Sequence, residues 1–219
     1  MKTMLRFAVP MIPGNLMQQC YNIADTLIVG QFLGAGALAA VGSAFSLMTF
    51  LTSILLGLAM GSGTVFSMRF GQKDALGLKE GILASFTLLG AVTVVLNVAV
   101  FLGIDWIIRV LQTPADLVGL MREYLIVIFA GLVGIFLYNF FASLLRSIGN
   151  SVVPLLFLAV SAVLNIALDL WFVAGLNRGV AGAAEATVIS QYVSGIGIAV
   201  YTWVKCPELI RKDKAVRLR

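Results

Sequence analysis

Histidine is absent from this 219-residue sequence, and cysteine occurs only twice. Cys20 sits inside an apolar run and Cys206 beside a basic tail, so neither a His/Cys metal cluster nor a disulfide framework is expected. Charge is scarce as well. Asp, Glu, Lys and Arg make up 11% of the chain, against about 25% in an ordinary soluble domain. That deficit excludes a single water-soluble core.

What replaces charge is apolar surface, with 60% of residues in the hydrophobic set and a mean hydropathy of +1.02. Residues 7–24, 26–68, 81–104, 124–145, 147–168 and 186–204 carry no Asp, Glu, Lys or Arg, and each run is near or above the ~20 residues that cross a bilayer. The chain reads as all-α, a polytopic membrane helix bundle. Its first run follows Lys2 and Arg6 as a secretory leader would, yet it contains Pro10, Gln18, Gln19 and Asp25 and lacks a cleavage site before Thr26. It is therefore expected to remain as a helix. The net charge of +5 sits at membrane-flanking ends, where anionic lipid and topology account for it without nucleic acid.

The stretch 26–68 is too long for one span, and Gly34-Ala35-Gly36 is its internal breaker. Six transmembrane helices follow, expected at 8–32, 37–67, 81–104, 119–144, 152–175 and 180–204. Residues 1–204 form the six-helix lobe and 205–219 a basic cytoplasmic tail. Lys and Arg on alternate sides number twelve against three, the minority being Arg109, Arg122 and Arg178, which puts both termini in the cytoplasm. The connection 105–123, with Pro114, is expected to be a short interfacial helix or turn. Gly30 with Gly34, and Gly57 with Gly61, are spaced to let helices approach closely.

The informative residues are those a bilayer excludes. Asp25, Asp169 and Glu185 fall inside expected spans, where an ionised carboxylate costs roughly 2.5–3.5 kcal/mol on insertion scales. Each needs a partner, a proton, water or an ion. From the helical rise, Asp25, Asp169 and Thr187 all lie on the order of 10 Å below the outer surface. Asn165 is one turn deeper than Asp169 on the same face, and Tyr124 reaches a similar level. Such a set of carboxylate, amide, hydroxyl and phenol oxygens can hold a dehydrated sodium ion, or the carboxylates can share protons. Gln18 and Tyr21 share the Asp25 face and line a cavity wall. Pro10 and Pro13 favour a kink in that helix.

Several motifs then resemble one family. Pro10-Met11-Ile12-Pro13-Gly14-Asn15-Leu16, Tyr21-Asn22-Ile23-Ala24-Asp25-Thr26 and Val29-Gly30 are similar to the first helix of the multidrug and toxic compound extrusion (MATE) family. So are Leu145-Arg146-Ser147-Ile148-Gly149-Asn150 with Pro154, Leu164-Asn165-Ile166-Ala167-Leu168-Asp169, Gly179-Val180-Ala181-Gly182-Ala183-Ala184 and Ala186-Thr187-Val188-Ile189-Ser190-Gln191. The resemblance implies a secondary active antiporter of the cell (plasma) membrane that exports organic cations and other amphipathic drugs in exchange for sodium ions or protons. It needs no cofactor beyond that coupling ion. It implies an ion site at Asp25, Asn165, Asp169 and Thr187, with Tyr124 nearby, cavity-lining roles for Gln18 and Tyr21, and a bending point at Pro10.

Two departures stand out. The family usually has an apolar residue where this chain has Glu185, which is about 200° around the helix from Thr187 and cannot share its face. Glu185 is left as an extra carboxylate in a polar crevice, a protonated interface residue or a damaging substitution. The family also has twelve helices in two lobes, and this chain resembles the first alone. It is expected to be a fragment of a longer product, or to pair with a second six-helix lobe as a parallel homodimer. An inert six-helix subunit and a lipid-linked oligosaccharide flippase are the alternative functions. The flippase would need a cationic cavity, whereas the inward residues here are acidic and amide. An enzyme is not expected, since no nucleophile and base pair is evident.

Overall fold

The computed structural model describes residues 11–210; residues 1–10 and 211–219, and the side chains of 11–13, 15, 18 and 210, lie outside the description. Pro10, the side chain of Gln18 and most of the basic tail are therefore not among the described features. The described residues form helices α1 (Met11–Gly71), α2 (Ala75–Val110), α3 (Val118–Ala130), α4 (Leu132–Ser147), α5 (Val152–Asp169), a π-helical segment (Leu170–Gly175), α6 (Gly179–Lys205) and the short α7 (Pro207–Ile210), with no strand among them.

Five helical stretches are long and apolar enough to cross a membrane: Gln19–Gly71, Ala75–Val110, Val118–Ser147, Val152–Gly175 and Gly179–Lys205. The first has 53 residues, which as one straight rod would run about 80 Å, more than twice a bilayer core. It does not run straight. Gly34 has φ 83° and ψ −177°, a conformation only glycine adopts readily, and a Cβ built on Gly30 would lie 3.5 Å from Leu38 Cδ2. Residues eight apart in a straight helix are about 12 Å apart, so the chain doubles back here into two arms, 11–33 and 35–71.

The second boundary falls earlier than the charges suggest. α2 begins at Ala75, because the Asp74 carboxylate accepts from the Gly77 amide at 2.9 Å and pairs with Arg69 at 2.7 Å. The Gly77 amide, joined by Arg69, holds the Asp74 carboxyl below the usual carboxylate range. Lys73, at φ 56°, makes the turn before it. At the far end of α2 the connection 111–117 is a turn rather than a helix, and Arg122 returns to Asp105 at 2.9 Å.

The stretch Val118–Ser147, α3 with α4, is the centre of the bundle, with 61% of its apolar window buried against 22% for Gln19–Gly71, Ala75–Val110 and Val152–Gly175. Phe140 meets Phe66 of α1 edge-on at 6.0 Å and Phe86 of α2 at 5.1 Å, so aromatic edges join three spans. Ser143 donates to the Ala59 carbonyl at 2.7 Å beside Gly63. Across the opposite face, a Cβ on Gly195 would lie 2.6 Å from the Gly134 carbonyl oxygen, so α4 and α6 touch backbone to backbone. The close approach is thus made at Gly134 and Gly195. Gly57 and Gly61, expected to serve it, have open space where a Cβ would stand, and Gly34 is the turn. Large apolar side chains on the outer side of α2, Leu102 and Val95 among them, are exposed, as a lipid-facing surface requires.

Candidate functional site

The carboxylates come from two helices that the Gly34 reversal and the bundle packing bring together. Tyr21 and Asp25 are one turn apart on the first arm of α1, and Asn165 and Asp169 are one turn apart at the end of α5. The Asp25 and Asp169 carboxyl groups lie close enough to one another to interact electrostatically. Asn165 and Asp169 are fully buried, and Thr187 of α6 nearly so. Asn165 Nδ2 donates to Thr187 Oγ1 at 3.2 Å, and that hydroxyl donates to the Ala183 carbonyl at 3.1 Å. The Tyr21 hydroxyl lies beside Thr187, and the buried Tyr124 of α3 lies within electrostatic reach of both carboxylates.

The oxygens of this cluster are left bare. Asp25 Oδ1, Asn165 Oδ1 and both carboxylate oxygens of Asp169 are enclosed with no hydrogen-bond donor of the described residues reaching them. Buried acceptors are ordinarily satisfied, and leaving a charged one unmet costs at least several kcal/mol in order of magnitude. A cation or shared protons would supply what the protein withholds. The donor set, all oxygen with two carboxylates, suits a hard cation such as sodium. Of the five oxygen-bearing residues singled out for coupling, Asn165 bonds Thr187 and Asp25 neighbours Asp169, with Tyr124 within electrostatic reach of both carboxylates.

Glu185 does not join them. Its Oε2 lies 2.7 Å from Arg178 Nη1, and the Arg178 guanidinium stands 5.8 Å from the centre of the Phe172 ring. The pair explains how this carboxylate is tolerated near the membrane without a proton or a cavity.

A second polar group in the membrane carried no sequence signal strong enough to single it out. Asn97 of α2 donates to the Phe129 carbonyl at 3.0 Å and Tyr192 of α6 to the Ala130 carbonyl at 2.8 Å, at the junction of α3 and α4. Gln191 Oε1, one turn beyond Thr187, is enclosed there without a partner and would meet a Cβ on Gly131. An isolated Asn in an apolar run is the only hint the sequence gives.

Comparison with known proteins identifies the family. The MatE family model matches residues 10–171. The chain belongs to the MATE family. It is 33% identical over 194 residues to the Probable multidrug resistance protein YpnP of Bacillus subtilis, covering 89% of this chain and 44% of that one. Crystal structures of MATE in the bent and in the straight conformation superpose with TM-scores of 0.89 and 0.88, at 30% and 31% identity, covering 99% of this chain and 49% and 48% of theirs. The chain thus spans about half the length of the MATE relatives it matches. Members of the family are membrane transporters and not enzymes, and the coverage is consistent with this chain being one lobe of such a protein.

Proposed function

We propose that this chain acts as one lobe of a cation-coupled antiporter that exports organic cations and other amphipathic drugs across the plasma membrane. Asp25, Asp169, Asn165 and Thr187, with Tyr124 beside them, take up the coupling sodium ion or protons. The observation that carries this reading is the neighbouring carboxylates of half-buried Asp25 and fully buried Asp169, on different helices, with unpartnered oxygens around them. Support for drug export comes from the multidrug relatives, which the chain matches along most of its length.

The physical logic is a competition between charge states. With the pocket empty of cations, two carboxylates in a low-dielectric setting repel each other and favour any arrangement that separates or hydrates them. With the cation bound, they are drawn together, so the first arm of α1 and the end of α5 close. Because a ligand shifts an equilibrium only through differential affinity, the coupling is as large as the difference in cation affinity between the two arrangements. Tyr21, on the Asp25 face, puts the substrate wall in register with that movement, and the family resemblance gives Gln18 a cavity-lining role and Pro10 a bending role. A second six-helix lobe, as the other half of a longer product or a second copy, closes the cavity.

Binding of radioactive sodium to the purified chain, with proton uptake measured in parallel, tests the site. Saturable binding or uptake that falls at least tenfold in both Asp25→Asn and Asp169→Asn is expected. Retention of full binding of both ions in those variants would overturn the assignment.

A further inference from the structure

Among the described residues, nothing that donates a hydrogen bond reaches the Asp169 carboxylate. Both of its carboxylate oxygens are without a donor among the described residues, although the side chain is fully buried. Its position is therefore inherited from the backbone of the helix end that carries it. That end is unusual. Asp169 is the last α-helical residue, and the next six, Leu170–Gly175, wind as a π-helix, a form that occurs mostly as single turns near functional sites.

The π-turn is fastened from the α6 side. Leu176 N–H bonds the Trp171 carbonyl at 2.8 Å and Arg178 N–H bonds the Phe172 carbonyl at 2.9 Å, folding the connection back on the turn. Asn177 at φ 50° and Gly179 at φ 64° flank Arg178 and fix its direction. Its guanidinium then covers the Phe172 ring and reaches Glu185 two turns into α6. Phe172 itself is seated on Gly182, where an added Cβ would stand 3.2 Å from Phe172 Cβ. The chain Glu185, Arg178, Phe172 thus runs from α6 to the turn, three residues past Asp169.

We infer that Glu185 and Arg178 are positioning residues: their ion pair, closed over Phe172, holds the π-helical turn and so sets Asp169 for cation capture. The inference rests on the proposed role of the Asp25–Asp169 pocket. It gives a role to the intramembrane carboxylate of Glu185, and it acts without contact between Glu185 and the ion. Loss of the pair frees the turn, Asp169 samples positions further from Asp25, and cation affinity drops while the number of sites stays the same.

The chain supplies its own reporter. Trp171 lies within the turn, with its ring 5.5 Å from that of Phe172. With Trp106→Phe and Trp203→Phe, it is the sole tryptophan, and its fluorescence in phosphatidylcholine vesicles is titrated with sodium chloride against choline chloride, and separately with protons. The parent is expected to show a saturable change that Asp25→Asn with Asp169→Asn abolishes. Glu185→Gln should raise the half-saturating cation concentration about threefold to fivefold, the scale of a half-exposed ion pair, with unchanged amplitude and helix content. The double variant Arg178→Gln with Glu185→Gln restores the parent's net charge but not the fastening, and should be as weak as the single one. Phe172→Leu, which keeps both charges and removes the ring, should weaken binding in the same direction. A parent-like midpoint in Glu185→Gln, or its return in the double variant, would overturn the inference, the latter by showing that net charge and not position matters. A parent without any cation response, or a response that survives in Asp25→Asn with Asp169→Asn, would instead overturn the reading of the pocket on which the inference stands.

Discussion

The Asn165 amide donates to the Thr187 hydroxyl at 3.2 Å, tying α5 to α6 and leaving Asn165 Oδ1 turned free as an acceptor. One side chain thus joins two helices and offers an oxygen to a cation. Asn165→Ala removes both. Interhelical hydrogen bonds in membranes are worth about 0.6–2 kcal/mol, so a modest fall in thermal unfolding temperature in detergent should accompany a loss of cation binding. Thr187→Ser, which keeps the hydroxyl, should preserve both properties.

Gly195→Ala should be far more damaging than Gly61→Ala, although both are glycines in apolar helices. At Gly195 the new methyl would press on the Gly134 carbonyl and force α4 from α6, with a cost of about 1–3 kcal/mol typical of overpacking. At Gly61 the methyl meets nothing, and relief of backbone entropy makes the helix about 0.5–1 kcal/mol more stable. Paired thermal melts of the two variants check the contrast.

Gly34→Ala tests the reversal of the first helix. A Cβ at φ 83° and ψ −177° costs on the order of 1–3 kcal/mol, and the strain falls on the link that places Asp25. Reduced stability with weakened cation binding is expected; a chain as stable as the parent would show that the two arms are held by packing alone.

Asp74 governs the start of α2 through its charge. Its carboxyl lies below the ordinary carboxylate range because the Gly77 amide, and then Arg69, favour the ionised form. A depressed value contributes stability that is complete above the unfolded-state value of about 3.9 and is lost as the pH falls through the folded one. Amide hydrogen exchange at Gly77 and Leu78, which bond Asp74, should stay protected at neutral and mildly acidic pH and lose that protection only below that range. Asp74→Ala should show the loss at every pH.

The helix count and the turn at Gly34 were legible because charge-free runs and a Gly-Ala-Gly breaker are local signals, as the φ of Gly34 shows. Depth and helical face also brought Asp25, Asn165, Asp169 and Thr187 to one group, since the rise and turn of a helix are nearly constant. Partners set by turn geometry were not legible. The Arg178–Glu185 pair spans seven positions, outside the three- and four-residue spacing that predicts neighbours on a helix, and depends on the left-handed backbone of Asn177. The start of α2 at Ala75 depends similarly on a cap at Asp74 that lies among charges read as loop. Asn97 found its acceptor, the Phe129 carbonyl, 32 residues away, a relationship no local pattern contains.

Gradient-driven efflux of a cationic dye tests the central claim, that cation capture at Asp25 and Asp169 drives export. The full two-lobe transporter, or the dimer of this chain, is reconstituted in vesicles with an imposed sodium or proton gradient, and Asp25→Asn is compared with the parent. An amide fills the same volume without titrating, so the variant should fold and retain dye binding yet lose nearly all gradient-driven efflux. Full efflux by Asp25→Asn under both gradients would contradict the account and leave that carboxylate a packing residue.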